Sequence, residues 1–277
     1  MFRYYSRYII SRREFVLGLL VMTALSIGVF IADCAEIYGE PAYKWVAGEQ
    51  MFIGRTYNEG NMILRILIPL AAAIPMSDVF FMERRNEILS ATLPRFKSRG
   101  RYFRATAAAV FTAAFLIVLI PMLINALLVA VAFPYSTLKD FSNVPTGDTW
   151  RFAAGIEKEV PWFGLLLKAP HLYNVFTSFL ASVFSGAAGV FAYAFSFLIR
   201  KNRTLVYVVF FIVHQLLEIL SFSLEKFGFN ISLLGYLFPY SNAGGKTLPA
   251  FLIVLFALLL MVFALCFFGR RKIKDAL

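Results

Sequence analysis

The chain has 277 residues, 60% of them hydrophobic and 16% charged, and a formal net charge of +11 at neutral pH. An average soluble domain is ~45–50% apolar and ~25% charged, so this composition argues against a water-soluble enzyme and against a soluble basic domain for nucleic acid. The 31 phenylalanines suit a lipid environment as well.

The opening stretch MFRYYSRYIISRRE is basic and aromatic. Residues 1–13 read either as an interfacial helix, rings at headgroup depth and arginines toward phosphate, or as a plain topogenic tail. The apolar run Phe15–Ala32 follows. A bilayer core of ~30 Å needs ~20 mostly apolar residues in a helix, so this run is the first of six expected spans. It reads as a retained anchor, because Asp33 stands where a lipoprotein signal needs a small residue before Cys34. The second span, Met62–Phe81, contains Pro69 and Pro75 and carries Arg65 near one end. Neighbouring helices absorb such prolines in a membrane bundle.

The segment FFMERRNEILSATLPRFKSRGRYFRA then interrupts the apolar pattern with seven arginines and lysines. No Gly or Pro occurs between Met82 and Pro94. Met82, Asn86, Leu89 and Leu93 share a stripe, with Glu83, Arg84 and Glu87 turned elsewhere. A short amphipathic helix along the membrane is expected, ended by Pro94 and followed by a basic turn. Its charged face suits a solvated loop that meets lipid phosphate first, and a cytoplasmic partner second.

The third span, Thr106–Phe133, holds Pro121 and Asn125, a side chain suited to bonding across helices. The fourth, Leu172–Ile199, contains SGAAG at 185–189, small residues that admit another helix closely. A very short basic loop, Arg200, Lys201 and Arg203, leads to the fifth span, Thr204–Phe222. There His214 and Glu218 lie four apart and share a face. Counting ~1.5 Å per residue from Thr204 puts Glu218 ~21 Å along, a depth comparable to that of Arg65. A Glu218–Arg65 pair is expected, because an unpaired charge in lipid is costly. Residues 223–247 form an extracellular segment before the sixth span, Leu248–Phe268. Within it YSNAGGKT ends like a phosphate loop but has Tyr240 where the first Gly is required, so no nucleotide site is expected. Cys34 and Cys266 fall at opposite ends of spans and do not pair, and no metal-ligand spacing occurs.

Eighteen of the 27 Lys and Arg fall on the side that holds both termini and the 82–105 and 200–203 loops. The positive-inside rule places that side in the cytoplasm. The reading is an all-α, polytopic, multi-pass protein of the plasma membrane with both termini cytoplasmic.

The character of these spans and loops resembles the permease subunits of ABC-2 type ABC exporters, a compact six-span group of Gram-positive bacteria. The matching stretches are IPLAAAIPMSDVFFMERRNEIL, PRFKSRGRYFRA, LIPMLINALLVAVAFP and APHLYNVFTSFLASVFSGAAGVFAYAFSFLIRKNR. The resemblance covers roughly residues 1–275 and implies a single transmembrane domain, 1–277. It implies that residues 82–98 are a coupling helix seated on an ATPase, with Glu83, Arg84, Arg85, Glu87 and Leu89 at the contact. Arg200 and Lys201 would add a smaller one, and 223–247 would hold a re-entrant hairpin. The implied partners are an ABC ATPase dimer, a second permease subunit (identical or different) and membrane lipid, with no nucleic acid. ATP and Mg would sit on the ATPase, and this chain would bind no cofactor and catalyse nothing. The substrate would be a peptide, a lipid-like molecule or an antibiotic. Two rivals stay open: an intramembrane enzyme built on His214 and Glu218, and a non-transporting scaffold or sensor subunit.

Overall fold

The structure is a computed structural model that describes residues 8, 10–39, 51–54, 59–75, 77–88, 99–133, 162, 165, 168–199, 202–224, 231–237 and 248–272. Among these residues every regular element is a helix: α1 (Arg13–Ile37), α2 (Glu59–Ala73), α3 (Val79–Arg85), α4 (Arg99–Ala132), α5 (Pro170–Phe195), α6 (Arg203–Leu224), α7 (Leu233–Leu237) and α8 (Leu248–Lys272). Four helical stretches among the described residues are long and apolar enough to cross a membrane: Arg13–Ile37, Gly100–Ala132, Pro170–Phe195 and Arg203–Ser221. Gly60–Ala73 and Pro249–Ala264 are apolar but shorter. The chain thus has the character of a membrane protein.

The second expected span is not one helix. α2 is 15 residues long, about 22 Å at 1.5 Å per residue, which falls short of a ~30 Å hydrocarbon core. It stops before Pro75, which has no N–H to donate and disfavours helical geometry at Ile74. Turn bonds bridge the break, Ile74 N–H to Leu70 O at 3.2 Å and Ser77 N–H to Ala73 O at 3.3 Å. Pro69 and Pro121, in contrast, lie inside α2 and α4.

α5 is the central helix. It packs against α2, α4, α6, α7 and α8, and 67% of its apolar window is buried against 22% for α1 and α6. Its small residues explain the close approach. A Cβ on Gly189 would lie 2.8 Å from Ala114 Cβ and 2.9 Å from the Ala72 carbonyl oxygen, and one on Gly186 would meet the Phe111 ring. Ser185 Oγ donates to the Ala114 carbonyl at 2.6 Å. The neighbours admitted by SGAAG are therefore α4 and α2.

The outer helices turn apolar side chains outward, among them Leu17 and Leu20 on α1, Leu216 and Ile219 on α6, and Phe256 and Phe263 on α8. Surface of this kind is a liability in water and an ordinary contact with lipid. Two short pieces, the irregular 51–54 and 231–232 leading into α7, are packed inside the bundle. Phe52 and Ile53 are fully buried, and residues 231–237 lay Leu234, Tyr236 and Leu237 against the core. Non-helical backbone is tolerated at such depth only where protein surrounds it.

Candidate functional site

One end of the bundle gathers the start of α1, the α2–α3 break, the start of α4, the end of α5 and the start of α6. Asp78, at the head of α3, has a fully buried side chain. Arg12, just before α1, grips it with a fork: Nη1 donates to Oδ1 at 2.9 Å and Nη2 to Oδ2 at 3.2 Å. Arg203 Nε donates to Oδ2 at 2.7 Å, and its Nη2 donates to Glu14 Oε1 at 2.8 Å. Two guanidinium groups and two carboxylates thus balance in one knot. Burial works against the charged form of Arg12, yet hydrogen bonding and charge from Asp78, then from Glu14, outweigh it and raise the guanidinium's pKa.

Sequence reasoning missed this knot. Arg12 counted there as a topogenic or headgroup arginine and Arg203 as a loop arginine, and Asp78 had no role. The available signal was an acid inside the apolar run IPMSDVFF, because such an acid requires a partner.

The charged loop also differs from its expectation. The helix that begins at Val79 ends at Arg85, and Glu87 takes the left-handed region at φ 56, so no single helix runs from Met82 to Leu93. Glu83 and Arg84 do not face outward. The Tyr102 hydroxyl donates to Glu83 Oε2 at 2.6 Å. Arg84 lies 5.5 Å from the centre of the Phe80 ring and donates to the Ile199 carbonyl at the end of α5. Arg85, Asn86, Glu87 and Ile88 are the exposed tip. Beneath the tip, Phe80, Phe103 and Phe197 pack edge-on or tilted with ring centres 4.7–6.4 Å apart. Arg99, Arg101 and Arg104 stand in the first turns of α4 rather than in a turn before it. Leu89, Arg200 and Lys201 lie outside the described residues, as do residues 1–7, the whole of 89–98 and most of 225–247.

Farther along the bundle, the structure brings Arg65 and Glu218 together. Arg65 Nη2 donates to Glu218 Oε2 at 2.7 Å, with side chains 18% and 21% exposed. The Ser232 hydroxyl donates to the other oxygen, Oε1. Ser232 Oγ also accepts the Gly235 N–H at 3.1 Å, which caps α7. Ser221 Oγ accepts the N–H groups of Ile231 and Ser232 at 2.8 and 3.2 Å. Glu218 therefore ties α2, α6 and the start of α7 into one network.

His214 is 3% exposed and packs on the rings of Phe184 and Phe210. Its Nε2 lies 3.6 Å from Glu218 Oε1, beyond hydrogen-bond reach, and among the described residues neither ring nitrogen has a hydrogen-bond partner. No group of three or more His, Cys, Asp or Glu able to hold a metal occurs among the described residues.

Asn125 does bond across helices. Its Nδ2 donates to the Ser26 carbonyl at 2.9 Å, and its Oδ1 accepts the Ile53 N–H at 3.0 Å. It joins α1, α4 and the buried 51–54 piece through one side chain.

No family model, curated protein or solved structure matches the chain.

Proposed function

We propose that this chain is the membrane-spanning permease subunit of an ABC exporter, with six spans, both termini in the cytoplasm and ATP hydrolysis on a separate ATPase pair. The observation that carries the reading is the exposed tip Arg85–Ile88, raised on a short helix whose Asp78, Glu83 and Arg84 are bonded to Arg12, Tyr102 and Ile199 in turn. A partner that pushed on this tip would push on the bundle itself, because ion pairs and edge-packed rings leave the base little independent freedom. α2 with α3 and the shorter apolar part of α8 complete the six spans in this reading. Residues 231–237 serve as the buried part of a re-entrant segment. Two such subunits enclose the path, and an amphipathic peptide is the favoured cargo over a lipid-like molecule or antibiotic.

Arg85 and Glu87 are the residues assigned to the ATPase contact. Glu83 and Arg84 act one step back, by positioning the tip. The experiment is co-expression with candidate ABC ATPases from the same genome, followed by purification of the assembly and measurement of coupled ATP hydrolysis. Arg85→Glu with Glu87→Lys should abolish coupling while the chain still inserts in the membrane. Failure of any such ATPase to associate with the wild-type chain would overturn the proposal.

The enzyme reading finds less support. A general base needs an oxygen within reach of a substrate proton, whereas both Glu218 oxygens are engaged, one by Arg65 and the other by Ser232.

A further inference from the structure

The Pro75 break invites reading as a free hinge between α2 and α3, but the bonding around it points the other way. α6 is one unbroken helix of 22 residues, and it is bonded on both sides of the break. On one side, Arg203 at its start holds Asp78 at the head of α3 at 2.7 Å. On the other, Glu218 holds Arg65 of α2 at 2.7 Å. The spacings match. Arg203 to Glu218 is fifteen residues, about 22 Å of helix, and Arg65 to Asp78 is thirteen, about 20 Å if it were helical throughout. The two stretches run in opposite directions, so each clamp closes at its own end. Apolar packing supports the first clamp, with Phe81, Ile199 and Val206 in one small cluster.

We infer that α6 is an antiparallel splint across the broken second span. α2, α3 and α6 move as one body while both clamps hold, and opening either clamp turns the Pro75 break into a hinge. The inference is mechanical and holds whatever protein meets the tip of α3. Asp78 suits a clamp that can open on one side, because Arg12 still grips it with two bonds when Arg203 leaves. Opening therefore leaves no carboxylate buried without a partner, the situation that makes most buried pairs hard to break.

The test is amide hydrogen exchange by mass spectrometry on the full chain in detergent micelles, read on peptides covering 77–85, 59–73 and 203–210. Arg203→Met should raise exchange about tenfold in 77–85 and in 203–210 together, the size expected for a lost hydrogen bond between charged groups. Glu218→Gln, some 22 Å away along α6, should also raise exchange in 77–85, since the splint then holds one side only. Ser223→Ala removes an exposed side-chain bond within α6, to the Ile219 carbonyl, without touching either clamp, and should leave 77–85 unchanged. If Glu218→Gln disturbed only the residues around Arg65, or if Arg203→Met loosened 203–210 with 77–85 unmoved, the splint would be refuted. Arg203→Lys covers the case in which the Met variant fails to fold. It keeps a charge for Asp78 but cannot reach Glu14 at the same time, and a smaller rise shared by both peptides is expected. A rise in 203–210 alone would again refute the splint.

Discussion

Glu218 separates a structural acid from a catalytic one, and its surroundings set the size of the effect. Its carboxylate meets the Arg65 guanidinium at 2.7 Å, with about four-fifths of each side chain shielded from solvent. With charge centres ~4 Å apart and an effective dielectric of ~20, the gross attraction is about 4 kcal/mol. Removing one partner of a buried pair typically costs about 3–5 kcal/mol, mostly because the other charge is stranded. The group left behind differs between the two variants. Arg65→Met leaves Glu218 with the Ser232 hydroxyl, while Glu218→Gln leaves Arg65 facing a neutral amide. About 3 kcal/mol is expected for either single change and about 2 kcal/mol for the double, a coupling of several kcal/mol.

The assay is unfolding of the purified chain by SDS in mixed micelles, completed as a double-mutant cycle. Additive losses, with zero coupling, would refute the pair as a stabilising unit. A hydrolytic activity of the isolated subunit abolished by Glu218→Gln would refute the structural role from the other side. A full Glu218→Gln loss of activity follows for a general base, because an amide cannot take up a proton.

Other expectations are independent of that pair. Gly189→Ala should lower the thermal midpoint in detergent, since overpacking against the Ala72 backbone and Ala114 costs about 1–3 kcal/mol and outweighs a helix gain of about 0.5–1 kcal/mol. Gly28→Ala, with nothing within 4 Å of the new methyl, should raise it, and equal shifts of one sign would discredit the packing. Asn125→Leu should cost about 2 kcal/mol in the same SDS titration, because the buried Ile53 N–H and Ser26 carbonyl lose their partner together; an unchanged midpoint would mean that the 51–54 piece is not held there. An impermeant thiol reagent applied to intact cells should label Cys34 and spare Cys266, and labelling of Cys266 alone would invert the proposed topology.

Hydropathy made the helices legible, and composition made the small-residue face of α5 legible, because both signals are local in the chain. Depth counting along two spans was enough to pair Arg65 with Glu218, since helix rise is nearly constant. What stayed hidden was the effect of context on identical signals. Three prolines fall in expected spans, yet Pro69 and Pro121 continue their helices while Pro75 ends one. The proline has the same chemistry each time, and only its surroundings differ. The α3 end of the break at Pro75 is held by arginines 66 and 125 residues away from Asp78, a separation at which no sequence window operates.

Charge counting hid the knot at Asp78 for a related reason. The positive-inside rule weighs arginines by side and not by what they face, so Arg12 and Arg203 entered the count alongside Arg85. In the bundle the first two face a carboxylate with no solvent exposure, and Arg85 faces outward. The same basic side therefore contains two populations. One is spent inside the fold, joining α1, α3 and α6, and its removal should act on stability and on the rigidity of the Pro75 break. The other is free to meet a partner, and its reversal should act on assembly with the fold intact. Arg203→Met and Arg85→Glu are thus expected to give opposite patterns in the same two measurements. Arg203→Met should change exchange protection at 77–85, and Arg85→Glu should leave it unchanged and lose the partner.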